Sequence, residues 1–294
     1  SREMQTPSIV WEIYIMKAKV YFSQEITPEK VVEMYRALGV KLSGAVAVKV
    51  HSGEKGNQNF LRPEFWRPIV AEVHGTIVET NTAYGGMRDR TETHLRLMKE
   101  HGWSQYFDID LMDSEGPDVI WPIPNGKVLK ENHVGRHLMN YDSMLVLAHF
   151  KGHPMGGYGG AIKQLAIGCA SRCGKRLIHS HGSYTTFPEA MADAAYSVTE
   201  HFKGKIAFIN VMKNLSVDCD CCTVAEDPCM KDIGILASLD PVAIDQAGID
   251  LVVHSNDPGR EHFLRRVNSR NGIHAIEAAA DLGVGSREYE LIKI

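Results

Sequence analysis

Short apolar or alternating runs trade places with amphipathic stretches along the whole chain. Residues 17–22 and 45–50 read as strands. Between them, residues 28–38 carry apolar positions at helical spacing. Thr27 is placed to cap that helix, Pro28 suits its first turn and Gly39 its end. The alternation continues with a helix after Pro63, a strand at 76–79, a helix at 91–101 and a strand at 108–112. Pro124-Asn125-Gly126 marks a hairpin-like turn within 119–128. Residues 144–147 are wholly apolar, the pattern of a buried strand. A helix is expected around 161–167, an Ala-rich one at 188–202 and a strand at 205–212. Asp240-Pro241 opens a helix that runs to about Val253, with Asp240 as its cap and Asp245 one turn on as a candidate to face a site. Two more helices follow at 258–267 and 273–282, and 289–294 alternates like a final edge strand. Strands alternating with helices predict an α/β fold, with a mainly parallel or mixed sheet flanked by helices. It is expected as a single domain over 16–294, or as two closely packed lobes.

The segments after the strands locate a site. Four strands run into polar or Gly-rich stretches: His51 to Asn59, Thr80 to Gly86, Ala148 to Gly160, and Lys213 to Cys222. In open α/β sheets ligands sit beyond the carboxyl ends of strands, so these four loops are expected to converge there. Glu79, Asn81 and Tyr84 form a candidate ligand-contact group.

Composition narrows the classes. Apolar residues at 44% and charged residues at 23% exclude whole-chain disorder. A net charge of −4 argues against a nucleic-acid footprint. No apolar run reaches the roughly 20 residues that span a bilayer, so no membrane partner is expected. The first residues lack a signal-peptide pattern, and a cytoplasmic protein is expected. Because the strand pattern starts at Met16, residues 1–15 read as an added extension.

Four of the six cysteines, Cys219, Cys221, Cys222 and Cys229, fall within eleven residues. Such density favours metal binding over disulfides, with redox-active or buried structural thiols as the other readings. Thiolates suit zinc or an iron–sulfur cluster. An extended Cys-x-Cys points both thiols the same way, whereas Cys221 and Cys222 would then point apart. Three of the four, completed by a distant residue such as Cys169, is the easier set. Neither zinc-finger nor ferredoxin spacing occurs. Cys173 has no assigned role.

His149, Lys151 and His153 place two imidazoles and an amine at the end of a strand, as candidate catalytic groups that bind an anion or move protons. Gly157, Gly159 and Gly160 allow close approach of a ligand, and Lys163 follows at a helix start that attracts anions. Gly152 and Gly157 have the spacing of a phosphate loop, but Tyr158 stands where that loop needs lysine. His179 and His181 could bind metal if extended. His74, His94 and His201 read as ordinary surface or core residues.

His149-Phe-Lys-Gly-His153, Gly157-Tyr-Gly-Gly-Ala-Ile-Lys163, Ile167-Gly-Cys-Ala-Ser-Arg172, Asp218-Cys-Asp-Cys221 and the run from Asp232 to Gln246 together resemble domain-of-unknown-function family 362. The resemblance extends over nearly the whole chain from Met16. It implies an iron–sulfur protein, with a 4Fe-4S cluster as the first expectation and zinc as the alternative. The ferredoxin-like segment that some members add is missing here. Cluster binding would therefore rest on Cys219, Cys221 and a choice among Cys222, Cys229 and Cys169.

The function expected is that of an iron–sulfur protein, a redox or lyase-type enzyme for a small anionic molecule, served by a redox partner protein. A zinc-dependent hydrolase or zinc-stabilised enzyme, and a non-catalytic electron carrier or metal-handling protein, are the alternatives.

Overall fold

A computed structural model describes residues 17–294. The expected extension at 1–15 and the start at Met16 lie outside the described residues. The chain opens with β1 (Ala18–Ser23), α1 (Pro28–Ala37), β2 (Val46–Lys49), α2 (Pro63–Val73) and β3 (Thr76–Glu79). Next come α3 (Thr91–Glu100), α4 (Trp103–Tyr106), β4 (Ile109–Leu111) and a side hairpin of β5 (Val119–Pro122) and β6 (Glu131–Val134). The central strand β7 (Ser143–His149) leads into a second hairpin, β8 (Lys151–His153) and β9 (Gly157–Gly159). Then follow α5 (Ala161–Cys169), α6 (Arg172–His179), α7 (Thr186–His201), β10 (Ile206–Met212) and β11 (Gly234–Ser238). The chain closes with α8 (Pro241–Val253), α9 (Arg260–Ser269), α10 (Ile273–Asp281) and β12 (Tyr289–Lys293).

Eight strands form one sheet in the order β12-β1-β11-β10-β7-β2-β3-β4. Every neighbouring pair is parallel except the two that include β11. The α/β expectation holds. In this sheet the strand not anticipated is β11: its five residues are buried throughout, so they show no alternation to separate them from the start of α8. The β8–β9 hairpin also lies where the sequence reads as loop.

Alternation along β7 builds both faces of the sheet. Met144 and Val146 join a core with α5, α7, α8 and α10, while Leu145 and Leu147 pack toward α1 and α2. The helix starts follow the local signals. Thr27 Oγ1 accepts from the Lys30 amide at 3.1 Å, and Asp240 Oδ1 accepts from those of Val242 and Ala243 at 2.9 Å. Among the described residues, no helix is long and apolar enough to cross a membrane.

β2 sits between β3 and β7. Its chain continues to β3 on one side, whereas β7 continues through helices to β10 on the other. That reversal opens a crevice at the carboxyl ends of β2 and β7, where α/β sheets hold ligands.

Candidate metal and anion site

A cavity of about 580 Å³ occupies this crevice. Lys49 and Glu79 reach it from the ends of β2 and β3, and His153 from the end of β8. Lys163 contributes from α5, Lys175 and Arg176 from α6, and Cys221 from the loop after β10. The expected convergence of four strand ends is observed.

Glu79 anchors the cavity floor and is buried. Its carboxylate receives Lys49 Nζ at 2.6 Å and Ser52 Oγ at 2.6 Å, and Arg88 Nη2 lies 3.4 Å away. Burial opposes its ionisation, but Lys49 and Arg88 outweigh that and hold its carboxyl well below the usual range. Lys163, Lys175 and Arg176 differ from this pair. Among the described residues, none of the three has a carboxylate oxygen within 4.0 Å. Lys163 and Arg176 therefore leave positive charge in the cavity that the protein does not neutralise, and that charge attracts small anions.

The thiols gather at the same wall. Single donor atoms of His153, Cys219 and Cys221 lie within 4.8 Å of one another. The two cysteines meet through a turn rather than the extended segment expected, with the Cys222 amide bonded to the Cys219 carbonyl at 3.0 Å. The Cys221 amide also points at Cys219 Sγ, 3.4 Å away. The Cys222 thiol lies against that of Cys221. Burial and the neighbouring Cys221 both oppose ionisation of Cys219, yet Lys163 and Lys151 bring its thiol below the ordinary value. Cys229 stands apart, with its sulfur 3.4 Å from the Leu215 carbonyl. Cys169 is buried in α5, and burial pushes its thiol up to about 11. Cys173 is exposed.

This donor set fits a thiophilic ion. Two thiolates on a tetrahedral ion with bonds of about 2.3 Å stand about 3.8 Å apart. A four-iron cluster places a cube of iron and sulfide between its thiolates and spreads them further. His153 Nδ1 accepts the amides of Met155 at 3.1 Å and Gly156 at 2.9 Å. A neutral ring so held carries its proton on Nε2, which faces Cys221 Sγ at 3.8 Å. Burial, with Lys163 adding to it, pushes this imidazole down to about 4. His153 thus donates toward sulfur.

His149 and Lys151 stand behind the thiols rather than in the cavity wall. Both face Asp220, which lies between the two cysteines: His149 Nδ1 at 2.9 Å and Lys151 Nζ at 3.6 Å. Gly157, Gly159 and Gly160 are likewise absent from the cavity lining, and of that group only Lys163 reaches it. Gly157 has φ of +81°, which favours glycine. A Cβ on Gly160 would meet Asp245 at 2.5 Å. The start of α5 does attract an anion, but it is the chain's own. Asp245 accepts from the amides of Ala161 at 2.8 Å and Ile162 at 3.0 Å, from Tyr158 Oη at 2.9 Å and from Asn210 Nδ2 at 2.8 Å. His179 ends α6, with Nδ1 2.7 Å from the Lys175 carbonyl. His94 is buried, with Nε2 3.5 Å from Glu79. His201 stacks on Trp121.

Sequence reasoning did not single out Lys49, Arg88, Lys175, Arg176 or Asp220. Asp220 carried a usable signal, its place inside Cys-x-Cys. The others are single cations in unremarkable surroundings, and only the strand order brings them together.

Fold and site define an α/β protein with a cation-lined cavity and a Cys/His group able to hold a metal ion. Residues 46–250 match the family described as domain of unknown function (DUF362), and the chain belongs to that family. No curated protein matches. Among solved structures, the chain is similar to the lactate racemase apoprotein from Thermoanaerobacterium thermosaccharolyticum. Identity is 14% and the TM-score 0.40, over 65% of this chain and 50% of that one. A Thermotoga maritima protein from a structural genomics programme is 13% identical with a TM-score of 0.42, over 86% of this chain and 58% of the other. A Streptococcus agalactiae protein of the NADB-Rossmann superfamily has 11% identity and a TM-score of 0.25, over 86% and 95%. The chain thus spans between a half and three fifths of the length of the first two.

Proposed function

We propose that this chain is a metal-dependent enzyme for a small anionic molecule, with Cys219 and Cys221 holding the metal. The observation that carries this reading is the sharing of one cavity by the Cys221 thiol, the unpaired cations Lys163 and Arg176, and the Lys175 amine. A thiolate-bound ion there would supply Lewis-acid polarisation of a substrate oxygen. The two cations would hold carboxylate or phosphate groups. The Lys49–Glu79–Arg88 ion pairs would keep the floor rigid, and His153 would orient the Cys221 sulfur through its Nε2 proton. The close spacing of the donors favours a single ion such as zinc.

A second reading is an iron–sulfur centre in a redox or lyase-type enzyme fed by a redox partner protein. It draws on the adjoining third thiol, Cys222, and on the N–H groups directed at sulfur from Cys221 and His153. Such hydrogen bonds tune the potentials of iron–sulfur clusters.

Anaerobic purification, followed by an absorption spectrum and iron, sulfide and zinc analysis on one sample, tests both. Colourless protein with one zinc per chain supports the single ion. Brown protein with matching iron and sulfide supports the cluster and overturns the single ion. Protein that takes up neither, even after attempted reconstitution, overturns the metal reading.

A further inference from the structure

The metal reading leaves unexplained how α6 presents Lys175. The residue is only 5% exposed, yet it lines the cavity. Its Nζ contacts two oxygens, the Thr80 hydroxyl and the Ala170 carbonyl, the latter at 3.1 Å. The Thr80 hydroxyl proton is already directed to the Gly168 carbonyl at 3.0 Å, so its oxygen accepts from Lys175. Those two acceptors take two of its N–H bonds, and among the described residues no third hydrogen-bond acceptor meets Nζ. In the neutral amine the remaining tetrahedral position carries the lone pair.

The surroundings of Lys175 favour that form. Glu79 is engaged by Lys49, Ser52 and Arg88, and Asp113 by the amides of Asn81 and Arg172. Burial pushes the Lys175 amine down to about 7; Lys49 and Arg88 act the same way, while Asp113 and Glu79 oppose. The nearby His94 is buried as well.

We propose that Lys175 is a nucleophilic amine that forms an imine with the carbonyl carbon of a small anionic oxo acid. This rests on the reading of the cavity as an anion site. Lys163 and Arg176 hold the carboxylate, and Lys175 meets the carbonyl. The lone pair forms the C–N bond, and the carbonyl π pair passes to oxygen, which takes up a proton. The carbinolamine then loses its oxygen as water. Amine and carbonyl give imine and one water, and no oxidant or reductant is consumed. Buried lysines with lowered pKa serve as Schiff-base formers for this reason.

The test is reductive trapping on the folded protein. Glyoxylate and cyanoborohydride are added at about pH 7.5, where an ordinary lysine of pKa about 10.4 is almost wholly protonated. Peptide mapping is expected to find a carboxymethyl group on Lys175, formed at least about tenfold faster than on any other lysine. Lys175→Met has similar length and, like the neutral amine, no charge, and it is expected to lose that label with its circular dichroism unchanged. Propanal, an uncharged aldehyde, is expected to label Lys175 more slowly. Labelling confined to other lysines overturns the proposal, and so does equal labelling by propanal, which removes the oxo-acid assignment. Inorganic phosphate separates the two readings. If it raises the thermal midpoint while Lys175 stays unlabelled, the imine fails and the anion site stands. If it has no effect and does not slow labelling, the anion reading fails with the substrate class built on it.

Discussion

Both carboxylate oxygens of Asp220 lie 2.9 Å from Nδ1 of His149. His149 Nε2 in turn lies 2.6 Å from the Lys213 carbonyl, so both ring nitrogens face oxygens that accept. The ring thereby ties the Cys219–Cys221 turn to the end of β7 and to the chain leaving β10. Burial opposes the Asp220 charge, but His149 and Lys151 hold its carboxyl far below the usual range.

Asp220→Ala is therefore expected to leave His149 and Lys151 buried without their anion. A loss of about 3–5 kcal/mol follows for breaking a buried charged group of this kind. Urea unfolding measures it. The conservative Asp220→Asn is expected to lose less stability but still to loosen the thiol turn, which metal titration would read as weaker binding.

The cysteines divide by position. Cys219→Ala and Cys221→Ala are each expected to abolish metal retention. Cys173→Ala, Cys169→Ala and Cys229→Ala are expected to retain it. Metal per chain after gel filtration is the readout, and equal retention in all five variants would sink the ligand assignment.

Asp245 serves as a cap rather than a ligand. Its four donors all belong to the chain, and Asp245→Ala strands the Ala161 and Ile162 amides together with Tyr158 and Asn210. A loss of about 3 kcal/mol or more is expected, since each stranded buried donor costs roughly 1–3 kcal/mol. Thermal unfolding would show it. A variant as stable as the parent would contradict this role.

Lys175 links stability to alkaline pH. In the folded chain its amine lies at about 7, against about 10.4 when unfolded. Between those values the unfolded chain binds a proton that the folded chain does not. Stability from this group therefore rises with pH across that window and is lost as pH falls toward 7. Lys175→Met is expected to remove that rise, and the comparison is urea unfolding of parent and variant at about pH 7 and about pH 9. Parallel slopes would place the folded amine near its ordinary value.

Much of this protein is local and so can be read from order along the chain. Thr27 and Asp240 cap the helices they precede because a side-chain oxygen reaches amides only two or three residues on. The apolar run of β7 and the final edge strand β12 follow from their own patterns. Cys219 and Cys221 meet because one residue separates them, although a turn rather than an extended segment brings them together. The rest was decided by the tertiary structure. Strand β11 is hidden because burial on both faces erases the alternation. Lys175 is an unmarked lysine until α6 sets it over the ends of β2 and β3. Glu79, Lys49 and Arg88 become one buried cluster only because β3 pairs beside β2. Burial and the meeting of charges from distant segments turn ordinary lysines and carboxylates into a site. Both depend on strand order, which no local stretch of sequence encodes.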